Sequence, residues 1–457
     1  MATVACERDN DRLDPWTKPP FLRRVRIRGY KSIAFCDVAL QPLTVLVGRN
    51  GAGKSNFLDA LAFLRDCLET NVTEAAKRRG GWSSIAFRTR STPKVVFEIE
   101  AGFSCGHPRR YEIGNGIPGA PAAAGDASLN LKVYSFTAKY TLELTADQHS
   151  LTTVAREALE LVDETTKLTA GFEARGGVIT RFRSKPDSAL PLPVPPSGEL
   201  LSAARPDHLV VGFIGTQPFL EVADGLRFMG FYNFHPDAIR RLQKPRRGTL
   251  LERDGSNLAS VIEGLREIDP AAVKRVRDYL ALITEEVTRF EVKSYDEVEG
   301  LWFYLRPSPT AQPIPFDAAS MSDGTLRALA ALMAAFQIHL PSGGPSVVGI
   351  EEPETALHPA ALRALVDALD EATQRTQVLL TTHSADLLSG RDLTPGQVLV
   401  VRNRGGQTHI TPVDAASRQT IDKELYSLAD LHRMDRLDLD EADLRRQATI
   451  GNGVNGG

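Results

Sequence analysis

Apolar and charged positions alternate through FLRRVRIRGYKS (21–32), which predicts a β-strand with one face in water. The run LTVLV (43–47) is short and continuous, and suits a central strand buried on both faces. A Gly-rich turn follows, then a helix that sets Phe57, Leu61, Leu64 and Leu68 on one face. Segments KVVFEIEAGF (94–103) and LKVYSFTAKYTLEL (131–144) are rich in β-branched and aromatic residues and predict strands. The prolines of KPDSALPLPVPPSGE (185–199) exclude helix and central strand, so this stretch is a loop or linker. NLASVIEGLREI and PAAVKRVRDYLALITEEV predict helices, the second opened by its proline. From residue 321 the pattern becomes helix, apolar strand SVVGI, helix, apolar strand QVLLTT, the signature of parallel α/β structure. Residues 1–20 read as a disordered lead, and 412–457 as a polar, partly helical tail. No repeat or sustained heptad argues for long coiled-coil arms.

Composition narrows the classes. With 457 residues, 42% of them hydrophobic, the chain can bury a sizeable core as two or three units or one interrupted domain. The 54 basic and 57 acidic side chains leave a net charge of −3, so any DNA contact must come from a local patch. No apolar run reaches the ~18 residues of a spanning helix, and the polar N-terminus lacks a secretory core. Cys6, Cys36, Cys67 and Cys105 stand far apart, without a C-x-x-C pair. They are expected to be reduced thiols in a cytoplasmic protein, with neither zinc nor disulfides.

The chemistry begins at Gly48-Arg-Asn-Gly-Ala-Gly-Lys-Ser55, which fits G-x-x-x-x-G-K-[ST] between a buried strand and a helix. Glycines 48, 51 and 53 let backbone N–H groups wrap phosphates, Lys54 reaches the β/γ oxygens and Ser55 ligates Mg²⁺. Asn50 and Asn56 complete the expected ATP loop. Three further elements follow in order. Ser322, Asp323 and Gly324 open an apolar helix, Glu351 and Glu352 end an apolar strand, and His383 ends another.

With these four motifs the sequence resembles the ATP-binding-cassette ATPases, in their SMC, RecF and OLD-like branch. GRNGAGKSNFLDAL, SDGTLR, EEPETALHP and TTHSADLL carry the resemblance, over residues of about 22–100 and 225–405. It implies a P-loop NTPase fold of ABC-head type: α/β, with a parallel core sheet, helices and an antiparallel β subdomain, interrupted by a mixed insertion. The implied divisions are a head N-terminal part at 21–100, a β-rich insertion with the Pro-rich linker at 101–224, and a head C-terminal part at 225–411. The resemblance also implies a homodimer with ATP between the heads, each offering Ser322 and Gly324 to the other's γ-phosphate. Glu352 is then the base that orients the attacking water, Glu351 holds Mg²⁺ through water, and His383 senses the γ-phosphate; an N-cap is the plainer role for the serine.

The class usually carries a coupling Gln that is not evident here; Asn233 is the candidate substitute, against the plainer reading of a turn residue. Three basic clusters are solvated faces or phosphate contacts: Arg23/Arg24/Arg26/Arg28/Lys31, Lys77/Arg78/Arg79 and Arg240/Arg241/Lys244/Arg246/Arg247. The RRGG of the second resembles the SMC arginine loop that faces DNA. LLERDGSNLASVI resembles an OLD-like feature, but the stretch after His383 is too short for that family's nuclease domain, and DLDEADL reads as a solvated helix. The expected function is an ATPase that clamps duplex DNA or gates an effector protein such as a nuclease, in DNA repair or anti-phage defence, with no membrane partner. A transporter motor subunit and an ATP-gated scaffold with negligible turnover stay open as alternatives.

Overall fold

Hydrogen bonding sorts the strands of the computed structural model into three sheets. It describes residues 21–88, 93–108, 131–167, 169–184, 205–215, 218–246, 248–284, 286–308, 310–337, 344–389 and 393–453. The lead at 1–20, the Pro-rich stretch at 185–199, Cys6 and Arg247 lie outside the described residues, as does the side chain of Cys105.

In chain order the elements begin with β1 (Leu22–Tyr30), β2 (Ile33–Ala39), β3 (Leu43–Val47), α1 (Lys54–Glu69), α2 (Val72–Lys77) and α3 (Trp82–Ile85). Five long strands follow: β4 (Val95–Pro108), β5 (Leu131–Ala146), β6 (Thr152–Asp163), β7 (Thr169–Arg175) and β8 (Val178–Ser184). Then come α4 (Phe219–Arg227), β9 (Gly230–Tyr232), α5 (Pro236–Ile239), α6 (Leu258–Ile268) and α7 (Pro270–Ile283). Strands β10 (Val287–Tyr295), β11 (Val298–Leu305) and β12 (Ile314–Asp317) lead to α8 (Asp323–Phe336), β13 (Val347–Glu351), α9 (Pro359–Ala372) and β14 (Gln377–Thr382). The chain finishes with β15 (Val398–Arg404), β16 (Gln407–Pro412), α10 (Ala415–Asp422), α11 (Leu428–Arg433) and α12 (Glu441–Gly453).

The six-stranded sheet, ordered β16-β15-β3-β14-β13-β9, is the core. All five residues of β3 are buried, as a strand covered on both faces requires. Its side chains alternate between two apolar cores: Leu46 joins the one built with α1 and the antiparallel sheet, whereas Leu43, Val45 and Val47 join the one built with α6–α9. Strands β15, β3, β14, β13 and β9 are parallel, in the register Val47 beside Thr382 and Glu351 beside Thr381. The residues that follow these strands therefore emerge along one edge, where open α/β sheets bind their ligands.

The second sheet is antiparallel and seven-stranded, ordered β2-β1-β4-β5-β6-β7-β8. Its β-rich strands thus continue the sheet begun by β1 and β2, and the boundary expected at residue 100 falls within β4. A buried Gln377 ties the two sheets together: its amide accepts from Leu22 N (2.9 Å) and donates to the carbonyls of Leu22 (2.9 Å) and Gln41 (3.1 Å). The third sheet, β10-β11-β12, precedes α8 and packs Leu301 and Phe303 inward. Cys36 and Cys67 are free, buried thiols. Among the described residues no helix is long and apolar enough to cross a membrane.

One carboxyl group makes the antiparallel lobe sensitive to pH. Glu157 is fully buried and accepts hydrogen bonds from the backbone N–H groups of Val210 (2.6 Å) and Val211 (3.0 Å) and from the Tyr140 hydroxyl (3.1 Å). Burial outweighs these bonds and pushes the group up to about 7 from 4.5. The folded state therefore holds a proton that the unfolded chain releases; this stability is fully present below the unfolded value and is lost as pH rises through about 7. In thermal melts from about pH 5 to pH 8, Glu157→Gln should lose less stability than the wild type across this interval. Parallel wild-type and variant curves would contradict the assignment.

Candidate nucleotide site

The loop between β3 and α1 is held open by its glycines. Gly51 and Gly53 adopt φ values of 73° and 104°, a region that L side chains avoid. A Cβ at Gly53 would also overlap the Thr408 side chain, and one at Gly48 would overlap the Val401 carbonyl. Thr408 braces the loop: its hydroxyl lies 2.7 Å from that of Ser32 and donates to the Ala52 carbonyl at 3.0 Å, and the Asn56 amide donates to Ser32 at 2.6 Å. Asn56, in the first turn of α1, is thereby held by Ser32 of the β1–β2 turn and through it by Thr408 of β16.

Lys54 is 5% exposed and folds back, its ammonium donating to the carbonyls of Gly48 (2.8 Å) and Arg49 (3.2 Å). Burial lowers its proton affinity, and the fields of Glu352, Glu354 and Glu351 oppose that shift. Glu352 stands 4.0 Å from the ammonium, and His383 Nδ1 stands 3.3 Å from the same carboxylate oxygen. Glu352 has φ 45°, and its N–H is anchored by the Thr381 carbonyl at 3.0 Å. This left-handed backbone at the strand end is uncommon outside glycine and marks a functional candidate. Asn50 to Asn56 and Glu352 line a cavity of about 330 Å³. Lys54, Ser55, Glu352 and His383, separated widely in the chain, therefore meet at the edge of the parallel sheet.

Glu351 accepts from Arg253 at 3.0 Å. Asn233 follows β9, whose Tyr232 pairs with Ile350, so it stands at the register position beside Glu351. Its N–H donates to the Arg253 carbonyl at 2.9 Å. The donor set suits Mg²⁺: a serine hydroxyl and carboxylate oxygens, with three carboxyl groups facing one lysine, leave room for a divalent charge completed by phosphate oxygens.

Two partners escaped the sequence reading. Glu354 is 7% exposed, its carboxylate 2.6 Å from the Thr382 hydroxyl and 3.9 Å from His383 Nδ1, and burial pushes its proton affinity up. Its one signal is its place two residues beyond Glu352. Arg253 lies in LLERDGSNLASVI, a stretch singled out in the sequence, but nothing there names it as the partner of Glu351.

Ser322, Asp323 and Gly324 do not line the cavity of their own chain. Ser322 caps α8, its hydroxyl accepting from Thr325 N at 3.2 Å. Asp323 pairs with Arg240, and a side chain on Gly324 would overlap the Ala356 carbonyl. The basic clusters are largely spent on internal partners. Arg24 and Arg26 share the buried Asp37, Lys31 pairs with Asp59, and Lys77 pairs with Glu74. Arg79, expected on a DNA-facing loop, is instead a structural cation between Asp59 (2.9 Å) and Asp66 (2.8 Å), its side chain 10% exposed. Arg78 and Arg241 are exposed.

Comparison with known proteins agrees with the motifs. A family profile described as "AAA domain, putative AbiEii toxin, Type IV TA system" matches residues 43–120 and 237–389. The "DNA replication and repair protein RecF" of Arthrobacter sp. (strain FB24) is 27% identical over 301 residues, covering 60% of this chain and 68% of that protein. The "Old nuclease" of Escherichia phage P2 is 22% identical over 383 residues, covering 81% of this chain. The chain spans just 57% of that nuclease. Among solved structures, an SMC head bound to the C-winged helix domain of ScpA aligns at 12% identity and TM-score 0.48, covering 87% of this chain and 99% of the other. An SMC head derived from Pyrococcus furiosus, with an extended coiled coil and bound to the C-terminal domain of ScpA, gives 12% and 0.44, covering 89% and 99%.

Gly53→Ala should abolish binding of a fluorescent ATP analogue while leaving the melting temperature within a few degrees of wild type. Retained nucleotide binding would show that the loop tolerates the Thr408 overlap.

Proposed function

The chain belongs to this AAA-domain family, whose profile covers half of it, and we propose that it hydrolyses ATP between two copies of itself, in the manner of SMC, RecF and OLD-like heads. The observation that carries the proposal is the meeting of Lys54, Glu352 and His383 at one open cavity while Ser322–Gly324 stands apart from it. A phosphate seated in the loop replaces the Gly48 and Arg49 carbonyls as the partner of Lys54. Glu352 then faces the terminal phosphate from the β13 edge and takes or orients the proton of the attacking water. His383, bridging Glu352 and Glu354, holds that carboxylate in place and reports whether the phosphate is present. Ser55 and, through water, Glu351 would hold Mg²⁺, which would supply charge neutralisation of the phosphates; the chemistry is positioning and electrostatic rather than covalent.

The donor surface for the γ-phosphate comes from the second copy. Ser322 and Gly324 sit at the N-terminus of the 14-residue helix α8, where backbone N–H groups and the helix dipole favour an anion. Closing around ATP would clamp DNA or gate a partner effector, in DNA repair or in defence against phage; the name of the RecF relative, a DNA replication and repair protein, supports the first of these settings. Asn233 is the proposed link between this cycle and the lobe that follows it.

Glu352→Gln should slow turnover about 100-fold or more, the lower end of what a positioned base contributes. It should leave ATP binding intact and accumulate a dimer in ATP, seen by light scattering after size exclusion. A variant that turns over at the wild-type rate removes Glu352 from the chemistry, and one that stays monomeric in ATP removes the two-copy site.

A further inference from the structure

The outer face of the third sheet sets aromatic rings among cations. Alternation turns Leu301 and Phe303 of β11 into the core with Val287 of β10. The opposite face carries Arg289, Lys293 and Tyr295 from β10 and Trp302 and Tyr304 from β11. Arg289 lies 3.6 Å from the centroid of the Tyr304 ring, and Lys293 lies 3.9 Å from that of Trp302. Arg289 and Tyr295 are exposed and Lys293 is half-buried.

A neighbouring loop extends this face. Gln243 and Glu299 exchange backbone hydrogen bonds at 2.9 and 2.7 Å, a single antiparallel bridge beside β11. The Gln243 side chain turns inward to Ser260 and Glu299. Its neighbour Leu242 therefore turns outward, lying over Gly300 with 58% exposure, and Lys244 shares that direction by alternation.

We infer that this face binds single-stranded nucleic acid, with bases stacked on Trp302 and Tyr304 and phosphates met by Arg289, Lys293 and Lys244. Rings offered from a sheet among cations are the chemistry by which a single strand is held without sequence preference. Glu291 lies 3.8 Å from Arg289 and 3.6 Å from Lys293 and accepts from the Tyr304 hydroxyl, so the face is close to neutral at rest. Such long, solvated ion pairs are weak and give way to phosphate. Trp302 and Tyr304 are half-buried, each with a cation over one face that a stacked base would displace, and Asp317 joins Glu291 beside Trp302 on this face. A face with so little net charge suits bases rather than the dense phosphates of a duplex.

The surface is wired to the proposed donor helix by two routes. β12 runs through Asp317, which caps the turn at Ser320, directly into Ser322. Arg240, two residues before Leu242, donates to the Met321 carbonyl at 2.9 Å and pairs with Asp323. The inference deepens the ATPase reading by naming the polymer, yet the binding surface is testable apart from the ATP cycle.

The test is anisotropy of a labelled 20-nucleotide oligo-dT with the full chain at low salt, alongside quenching of tryptophan emission. Trp302→Ala and Lys293→Glu should each weaken binding about tenfold, the size of one lost stacking contact. Arg277→Glu, an exposed position on α7, should bind as wild type and take up the ATP analogue normally. Lys293→Glu serves on its own if Trp302→Ala fails to fold. The inference is overturned if oligo-dT does not bind, if both variants bind like wild type, or if a duplex of equal length binds more tightly. Normal ATP turnover without oligo-dT binding sinks this surface alone; Trp302-dependent binding without turnover sinks the ATPase reading alone.

Discussion

An ammonium group buried at the edge of a parallel sheet sets the terms for the rest of the molecule. A desolvated charge is costly unless it is partnered, and Lys54 is partnered by two carbonyls of its own loop and by the field of three carboxyl groups. That cage requires glycine where the loop passes Thr408 and Val401, and strands in register so that β3, β13 and β14 end together. Under the proposed function, phosphate oxygens would take over from the carbonyls, so the arrangement that satisfies the charge at rest is also the one a nucleotide would use.

How legible this was depends on whether a contact lies within one segment. The loop, the paired Glu351 and Glu352, His383 and the buried β3 could all be read because each motif is contiguous and sits at the end of an apolar run. Ser322 showed both of its possible roles in sequence, and within one chain the structure shows the N-cap. Arg79 misled because its partners Asp59 and Asp66 project from a different helix, and spacing alone cannot distinguish a solvated cation from a buried one. Glu354, Arg253 and the Asn56–Ser32–Thr408 brace were missed for the same reason: they join positions that only folding brings together. The antiparallel strands were legible, but their membership in the sheet begun by β1 was not, since pairing between β1 and β4 crosses β3 and three helices.

The C-terminal segment closes one side of the nucleotide edge. Asp435 pairs with Arg49 of the loop at 2.6 Å and with Arg402 of β15 at 2.9 Å, and His432 lies 3.0 Å from the His383 carbonyl. Arg446 of α12 reaches back to Asp37 of β2 at 2.7 Å. The polar tail expected from composition is therefore a strap that touches the phosphate loop, the histidine loop and the antiparallel sheet. Most of its ion pairs are solvated and individually weak, so its hold comes from their number and from Leu428, Leu431 and Leu437 beneath them.

The buried cluster of Tyr30, Asp59, Arg79 and Asp66 has a mechanical consequence. It rivets α1, the helix that starts at the phosphate loop, to β1 through the Tyr30 hydroxyl on Asp59 (2.6 Å), and Tyr30, Phe63 and Phe97 pack their rings across the same joint. Helix and sheet are therefore joined here as one body. At about 3.3 Å per residue, the 16 residues of β5 make an arm about 50 Å long, and a rocking of α1 by about 5° would carry its tip about 4 Å. A displacement too small to see at the phosphates becomes, at the far end of the sheet, a movement the size of a side chain.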